Sequence, residues 1–267
     1  MRSRKYNLFC LLALFLFVLP LDSCAQSVRK SRKNSEIILV ETPKVPQGTD
    51  EQILLHKGFA VSYNKSMRLP NWVAYELTEA EVDGQVPRAR HFDIDPTVRG
   101  VQATNDDYRN SGWDKGHLVP AGDMKWDSLA MRESFYFSNV CPQNHNLNGG
   151  DWRSLEELCR DYARRYGSVW IAAGPIVMDN VYGRIGYNNV VVPDAFFKVL
   201  MVKTDGRFEG VGFVFRNEAG HRKLIAYAMS IDEVEEMTGI DFFYTLPDSV
   251  ENKIEKGYSP GIWFLGE

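Results

Sequence analysis

The sequence has little of what marks several broad protein classes. Only four cysteines occur in 267 residues, and two of them, Cys10 and Cys24, fall within the first 25 residues. This low count excludes a small scaffold held together by many disulfides. The chain shows no internal repeat or long low-complexity tract, which argues against a solenoid or a disordered protein. Charged residues make up 25% of the chain, an ordinary value for a globular protein.

Long apolar runs are also scarce, and the one that exists lies at the N-terminus. Three basic residues within the first five positions precede an apolar run over residues 8–19, and small residues follow at positions 23–25. The run is short for a membrane-spanning helix, which needs about 20 apolar residues. The pattern predicts a secretory signal over residues 1–25 and an exported protein that is secreted, periplasmic or a membrane-anchored lipoprotein. Cleavage after Ala25 and lipidation of Cys24 fit the pattern equally well, and we expect no other membrane attachment.

An excess of positive charge is missing as well. Without residues 1–25 the chain has 28 basic and 34 acidic residues, a net charge of −6. Proteins that bind nucleic acid usually carry a basic surface, so the bulk charge weighs against this function. The alternative is a local basic groove on an acidic protein, whose binding would weaken with salt.

Two regions follow the predicted signal. Residues 26–50 are polar and basic, then punctuated by proline, which predicts a flexible tether. Residues 51–267 are long enough to bury the core of one sizeable domain, given the 44% hydrophobic composition of the chain. This domain contains Cys141 and Cys159, and we favour two buried thiols over a bridge.

The domain is predicted to be α+β, with a central, mostly antiparallel sheet flanked by helices. Ser230 with Glu233 forms a capping box that predicts a helix start, and residues 248–256 predict a last short helix. The mixture shows no regular βαβ rhythm, which favours the α+β class. Strands are predicted at residues 59–66, 72–78, 169–173, 189–192, 196–203, 210–216 and 224–229.

The stretch from Trp113 to Glu156 carries the residues with chemical potential. Asp114 and His117 stand three residues apart at the end of a predicted strand. Asn148 and Glu156 stand at i and i+8, so a continuous helix would place them near one face. One neutral imidazole and one oxygen-only metal position suit metal-assisted hydrolysis of a phosphodiester bond.

This stretch resembles a known family, the non-specific DNA/RNA endonucleases built on a ββα-metal (His-Me) finger, to which mitochondrial endonuclease G also belongs. The resemblance covers about residues 71–255. It is carried by D-K-G-H-L-x-P at residues 114–120, S-N-x-x-P-Q at 138–143 and L-N-x-G-x-W-x-x-L-E at 147–156, with A-R-H-F-D-I-D-P at 89–96 upstream and V-P-D-A-F-F-K-V at 192–199 downstream.

The resemblance implies a fold, a cofactor and a reaction. The fold would contain a ββα-metal finger. The enzyme would use Mg²⁺, with Mn²⁺ as a substitute, to hydrolyse DNA and RNA with little sequence specificity and leave 5′-phosphate ends. Its partners would be the DNA and RNA substrates, and we predict no protein partner.

The resemblance also assigns roles to individual residues. His117 would be the general base and Asn148 the metal ligand, although an Asn before a helix is often only an N-cap. Glu156 would steady a metal-bound water, with a surface carboxylate as the alternative. Asn139 would support the site or the substrate, with a turn-forming Asn as the alternative. Arg90 would lie over the scissile phosphate, with Arg88 as the alternative.

The first two residues of the D-K-G-H motif are expected to act on the substrate side of the site. Asp114 orients the strand end through hydrogen bonds. Lys115 replaces the Arg of the best-known members, so it keeps the charge but loses the bidentate fork.

Other readings of the same residues are weaker. His145 lies in an N-H-N sequence, but no second Cys or His pair stands at zinc spacing, so we reject a zinc site. His56, His91 and His221 are predicted to be structural or at the surface. Two alternative functions remain: a non-catalytic surface protein that keeps the fold and binds nucleic acid or a partner, and a phosphodiesterase acting on a smaller substrate.

Overall fold

The computed structural model describes residues 40–264. The predicted signal at 1–25, Cys24 and most of the predicted tether at 26–50 lie outside the described residues. Residues 40–50 of that tether are described, and the backbones of Lys44 and Asp241 exchange hydrogen bonds of 2.8 and 2.9 Å. This end of the segment is therefore joined to the domain. No helix within residues 40–264 is long and apolar enough to cross a membrane.

The predicted α+β class is confirmed, with a seven-stranded sheet in the order β1-β2-β3-β6-β9-β10-β11 and all neighbours antiparallel. Two-stranded ribbons pair β4 with β5 and β7 with β8. The strands are β1 Gln52–Leu55, β2 Ala60–Asn64, β3 Leu69–Thr78, β4 Asp114–His117, β5 Val140–Gln143, β6 Ser168–Ile176, β7 Arg184–Ile185, β8 Val190–Val191, β9 Ala195–Thr204, β10 Arg207–Arg216 and β11 Ala228–Met229.

The helices are α1 Glu79–Val82, α2 Asn105–Tyr108, α3 Ser128–Glu133, α4 His145–Gly149, α5 Asp151–Tyr166, α6 Ile231–Thr238, α7 Asp248–Glu255 and α8 Pro260–Trp263. Single 3₁₀ turns occur at Ala121–Met124, Phe137–Asn139 and Leu224–Tyr227. The predicted capping box is confirmed, because Ser230 caps α6 and its hydroxyl accepts from the backbone N–H of Glu233. The predicted strand at 224–229 is wrong except for its last two residues, because a 3₁₀ turn occupies the rest.

The two faces of the large sheet bury separate cores. Long helix α5 covers one face with Trp152, Leu155 and Cys159, which are all fully buried. Helices α6 and α7 cover the other face through Ile231 and Ile254. Alternate residues of each strand point to opposite faces, so the middle of the sheet is apolar on both sides. The long helix is thereby fixed against the sheet.

The ribbon of β4 and β5 and short helix α4 form a ββα unit beside the large sheet. Asp114 pairs with Gln143 and His117 with Val140 in this ribbon. A continuous helix through Asn148 and Glu156 was expected, and this expectation is wrong. The helix breaks at Gly150, where a Cβ would lie 2.4 Å from the carbonyl oxygen of Asn146, so only glycine fits the break.

Candidate active site

A cavity of about 610 Å³ opens between the ribbon, α4 and α5. It brings together five of the seven predicted site residues: Asp114, Lys115, His117, Asn148 and Glu156. It also contains Arg88, which the sequence offered as the alternative to Arg90, and two cationic residues that were not predicted, Arg153 and Arg160. The lining has four cationic side chains and three carboxyl groups, so this wall is slightly basic on an acidic protein.

His117 lies at the end of β4 and is only 8% exposed. Its ring packs at 5.0 Å from the ring of Phe92 and edge-on at 4.8 Å from that of Phe135. Burial, followed by the nearby charge of Arg88, lowers the pKa of His117 to about 3. The imidazole is therefore neutral in the neutral pH range and can accept a proton.

The two nitrogens of His117 have different surroundings. Nε2 is buried and has no hydrogen-bond partner among the described residues. A neutral imidazole carries hydrogen on one nitrogen only, so the other nitrogen can accept a proton.

Asn139 acts on the backbone after His117 and does not line the cavity. It is 0% exposed. Its Oδ1 accepts from the backbone N–H of Val119 at 2.9 Å, and its Nδ2 donates to the carbonyls of Val119 and Ser134 at 2.9 and 2.7 Å. Three of the four hydrogen-bonding positions of the amide are occupied. The structure therefore places Asn139 as a brace of the backbone and not as a group that contacts substrate.

Asn148 is held in one orientation by Asp114. Its Nδ2 donates to Asp114 Oδ2 at 2.9 Å, and His145 Nδ1 lies 3.0 Å from the same oxygen. The Asn148 Oδ1 accepts no hydrogen bond among the described residues, which leaves it available to a metal. The N-cap role belongs instead to Asn144, whose Oδ1 accepts from the backbone N–H groups of Asn146 and Leu147.

The donor set fits a hard cation. Mg²⁺ prefers oxygen ligands, such as the oxygen of an amide or a carboxylate, and it keeps several bound waters. A nearby carboxylate can hold these waters by hydrogen bonds. Among the described residues, only Asp232, Glu235 and Glu255 bring three metal-ligating side chains together, and none of them lines this cavity. A metal in the cavity would therefore rely on Asn148 and water.

Glu156 and Arg160 project from α5 into the cavity, one helical turn apart. Burial raises the pKa of Glu156 to about 8. Arg160 Nη1 binds Asp123 Oδ1 at 2.7 Å, and Asp123 is fully buried. The i+4 spacing from Glu156 could have identified Arg160 in the sequence.

The upstream arginine that faces the cavity is Arg88. Its guanidinium lies 5.1 Å above the ring of Phe135, next to His117, whereas Arg90 does not line the cavity. The assignment of Arg90 to the phosphate is therefore not supported by this geometry.

Lys115 lies at the rim. Its Nζ donates to Asn105 Oδ1 at 2.8 Å and lies 4.7 Å from the centroid of the Phe92 ring. These contacts hold the ammonium group on the side of the cavity where Phe92 and His117 meet.

Two other predictions have clear outcomes. Cys141 and Cys159 are free and buried, as expected. His56 was expected at the surface, and this is wrong, because its side chain is 1% exposed and its Nε2 lies 3.0 Å from buried Asp95. The charge of Asp95 required a partner inside the protein.

Comparisons with known proteins agree with this geometry. The mouse protein named "Nuclease EXOG, mitochondrial" is 33% identical over 258 residues, which are 90% of this chain and 69% of the relative. Human "Endonuclease G, mitochondrial" is 31% identical over 79% of this chain and 70% of the relative. "Nuclease C1" from Cunninghamella echinulata is 32% identical over 73% of this chain and 84% of the relative. The chain spans only 56% and 63% of the frog and human EXOG proteins.

A solved structure shares the fold. The structure titled as the EndoG/EndoGI complex superposes with a TM-score of 0.70 at 28% identity, covering 75% of this chain and 89% of that chain. The ββα ribbon and the large antiparallel sheet are thus a known architecture.

The expectation of export is contradicted. The EXOG and endonuclease G relatives and nuclease 1 of Schizosaccharomyces pombe are all named as mitochondrial, which points to mitochondria. A basic start without acidic residues is common to secretory signals and to mitochondrial transit segments, so this feature could not separate them.

The sequence pattern of the family described as DNA/RNA non-specific endonuclease matches residues 39–249, which include every residue of the cavity. This match, the relatives above 30% identity and the shared architecture all lead to one conclusion. The chain belongs to the DNA/RNA non-specific endonuclease family.

Proposed function

We propose that this protein is a Mg²⁺-dependent endonuclease that hydrolyses phosphodiester bonds of DNA and RNA with little sequence specificity. The observation that carries the proposal is the meeting of His117, Asn148 and Glu156 in one cavity with a basic wall. Family membership supports the same reaction class.

His117 is the general base for the attacking water. It is neutral because burial lowers its pKa to about 3, and its ring is locked between Phe92 and Phe135. A fixed, unprotonated imidazole can take a proton without first losing one of its own. Asn139 holds the backbone of Val119 and so fixes the direction of the ring.

Asn148 would hold the metal through Oδ1, with Asp114 setting the direction of that oxygen. Bound there, Mg²⁺ would neutralise charge on the phosphate and on the leaving 3′ oxygen, and Mn²⁺ would substitute for it. Glu156 holds water on the α5 side of the cavity. Its pKa of about 8 lets it exchange a proton with that water near the working pH.

The cationic wall stabilises the negative charge that grows on the phosphate during attack. Arg88 faces the scissile phosphate, Arg160 supports it from α5, and Lys115 binds a neighbouring phosphate at the rim. We assign Arg88, not Arg90, to this role because only Arg88 lines the cavity. Attack by the water that His117 deprotonates breaks the bond between phosphorus and the 3′ oxygen. The 3′ oxygen takes a proton from the water held by Glu156, and the phosphate stays on the 5′ end.

Cleavage assays with the full chain test the proposal. Plasmid, single-stranded DNA, RNA and a small phosphodiester are incubated with Mg²⁺, with Mn²⁺ or with EDTA. We expect all three nucleic acids to be cut with either metal, and no cleavage in EDTA. Products should accept a kinase label only after phosphatase treatment, because their 5′ ends carry phosphate.

A variant pair on α4 checks the metal role. Asn148→Ala should lose most of the activity with an unchanged melting temperature, whereas Asn146→Ala, exposed on the same helix, should not. Full activity in excess EDTA would overturn the mechanism. Binding of nucleic acid without any cleavage would favour a non-catalytic protein, and cleavage of the small diester alone would favour a phosphodiesterase.

A further inference from the structure

Lys198 occupies a position on β9 where an apolar residue is expected. Side chains alternate between the faces of a strand, and Phe196 and Leu200 on either side belong to the core under α5. Lys198 is 0% exposed, and it is the one buried lysine or arginine within residues 40–264. An ammonium group removed from water is costly unless it is compensated, so its location has a local cause.

The contacts of Lys198 connect it to the backbone at His117, the proposed general base. Its Nζ lies 3.4 Å from the carbonyl oxygen of Leu118 and 4.5 Å from the centroid of the Trp152 ring. Trp152 Nε1 in turn donates to the carbonyl oxygen of His117 at 3.2 Å. The carbonyl groups of His117 and Leu118 are thus both held, the first by Trp152 on α5 and the second by Lys198 on the sheet. The position of the cation over the indole face stabilises Lys198 further.

The charges near Lys198 form a balanced set. Arg160 is paired with Asp123, whereas Glu156 has no ion pair within 4.0 Å among the described residues. Burial raises the pKa of Glu156, and the charge of Lys198 is the strongest influence that lowers it, with Arg160 and Arg88 acting in the same direction and Asp123 against them. Lys198 is therefore the main counter-charge left for Glu156.

We propose that Lys198 is a positioning residue of the active site, which fixes the backbone that carries His117 through Leu118 and Trp152 and is the main positive charge that acts on Glu156. It acts through these two residues, since it does not line the cavity itself. The inference rests on the proposed nuclease function, because only that function gives His117 and Glu156 their tasks.

The test is Lys198→Met, which keeps the length of the side chain and removes the charge. Cleavage of DNA by the full chain is measured in Mg²⁺ from pH 5 to pH 10. We expect kcat to fall about 10- to 100-fold, as for other residues that orient a catalytic group. KM should stay within about twofold, because Lys198 touches no substrate. The acid limb of the kcat profile should move to higher pH, because Glu156 loses the charge that favours its ionised form.

A matched control is available on the same strand. Lys203 is exposed, and its Nζ lies 5.8 Å from the centroid of the Phe208 ring, so it also combines a lysine with an aromatic ring. Lys203→Met should leave kcat, KM and the pH profile unchanged. An equal loss in both variants would overturn the inference, because it would reflect only the net charge of the strand.

A second variant separates the hydrogen bond of Lys198 from its charge. Lys198→Gln keeps a donor for the carbonyl of Leu118 but has no charge. It should keep slow amide hydrogen exchange at Leu118 and Val119 and still show the shifted acid limb. Lys198→Met should show both faster exchange and the shifted limb. If the acid limb of the kcat profile does not move in either variant, the proposed effect of Lys198 on Glu156 is wrong.

A readout without activity separates this inference from the proposed function. In metal-free protein with ¹³C-labelled glutamate carboxyl groups, the titration of Glu156 should move to higher pH in Lys198→Met. If the wild-type chain cuts no nucleic acid, the proposed function fails, and the titration and exchange data still decide on Lys198. If the wild type cuts and Lys198→Met is identical to it in every readout, only the inference fails.

Discussion

Asn148 donates a hydrogen bond from Nδ2 to Asp114 Oδ2 at 2.9 Å, and this bond decides which atom of the amide is free. A side-chain amide can present either its oxygen or its NH₂ group, and only the oxygen binds a metal. The carboxylate of Asp114 accepts but cannot donate, so it selects the orientation with Oδ1 released. The motif residue at position 114 thus orients the side chain proposed as the metal ligand.

This relationship predicts the effect of Asp114→Asn. An amide at position 114 can donate to Asn148 Oδ1 and turn the ligand away from the metal. We expect the Mg²⁺ concentration for half-maximal activity to rise about 10- to 100-fold. Asp106→Asn is the control, because Asp106 is exposed and pairs with Arg109 at the surface. An unchanged Mg²⁺ requirement in Asp114→Asn would contradict the orienting role.

His117→Ala should reduce kcat by roughly 10²–10⁴-fold, the usual value of general-base catalysis. Free imidazole should restore part of the rate, because the truncation leaves a ring-sized space. His221→Ala and His91→Ala, at exposed positions, should be close to wild type. A deeper loss in His145→Ala than in His117→Ala would contradict the base assignment.

The pKa of His117 makes a separate prediction about pH. Because this pKa is about 3, the imidazole stays unprotonated as the pH falls from 8 to 5. The ratio of kcat/KM between wild type and His117→Ala should therefore stay constant over this range. A ratio that falls with a midpoint near 6.5 would mean that water reaches the ring and restores its ordinary pKa.

The two upstream arginines form a natural comparison. Arg88→Ala should lower kcat by about 10²–10³-fold, the scale for losing one group that stabilises transition-state charge. Arg90→Ala should change kcat by no more than about twofold, because Arg90 is outside the cavity. Measuring both variants on the same DNA substrate checks the assignment. The reverse order of effects would return the phosphate role to Arg90.

Glu156 links the site to the stability of the fold. Its pKa is about 8 in the folded protein against an ordinary value of 4.5, so the folded state binds this proton more tightly than the unfolded chain. That stabilising contribution is complete below pH 4.5 and is lost as the pH rises through 8. Gln cannot ionise, so Glu156→Gln should gain melting temperature relative to wild type between pH 5 and pH 9.

Thermal melts in EDTA measure this gain without interference from a metal. Glu157→Gln is the control, because Glu157 is exposed and pairs with Arg153 at 2.9 Å. A melting-temperature difference for Glu156→Gln that does not vary with pH would show that the carboxyl ionises as it does in water.

The sequence predicted those parts of the structure that depend on local pattern. The capping box at Ser230 and the alternating strands follow from hydrogen bonds and side-chain period within a few residues. The break at Gly150 was missed because it depends on a backbone contact with Asn146, which composition does not reveal.

The site residues divide in the same way, into those that a local motif identifies and those that depend on contacts across the fold. His117, Asn148 and Glu156 were identified through the motif, and the cavity does bring them together. The hydrogen bonds of Asn139 to Val119 and the burial of Lys198 could not be predicted, because both arise from contacts between residues distant in sequence. Arg160 was within reach of sequence reasoning, since it lies one turn beyond Glu156.

The break at Gly150 places the residues of the proposed catalytic centre on two separate helices, α4 and α5. Asn148, on α4, is tied to the ribbon through Asp114, whereas Glu156 and Arg160 belong to α5, which packs on the large sheet. The spacing between the proposed metal ligand and Glu156 is therefore set by the backbone at Gly150. Substituting that glycine would detune the spacing of the two halves without unfolding either of them.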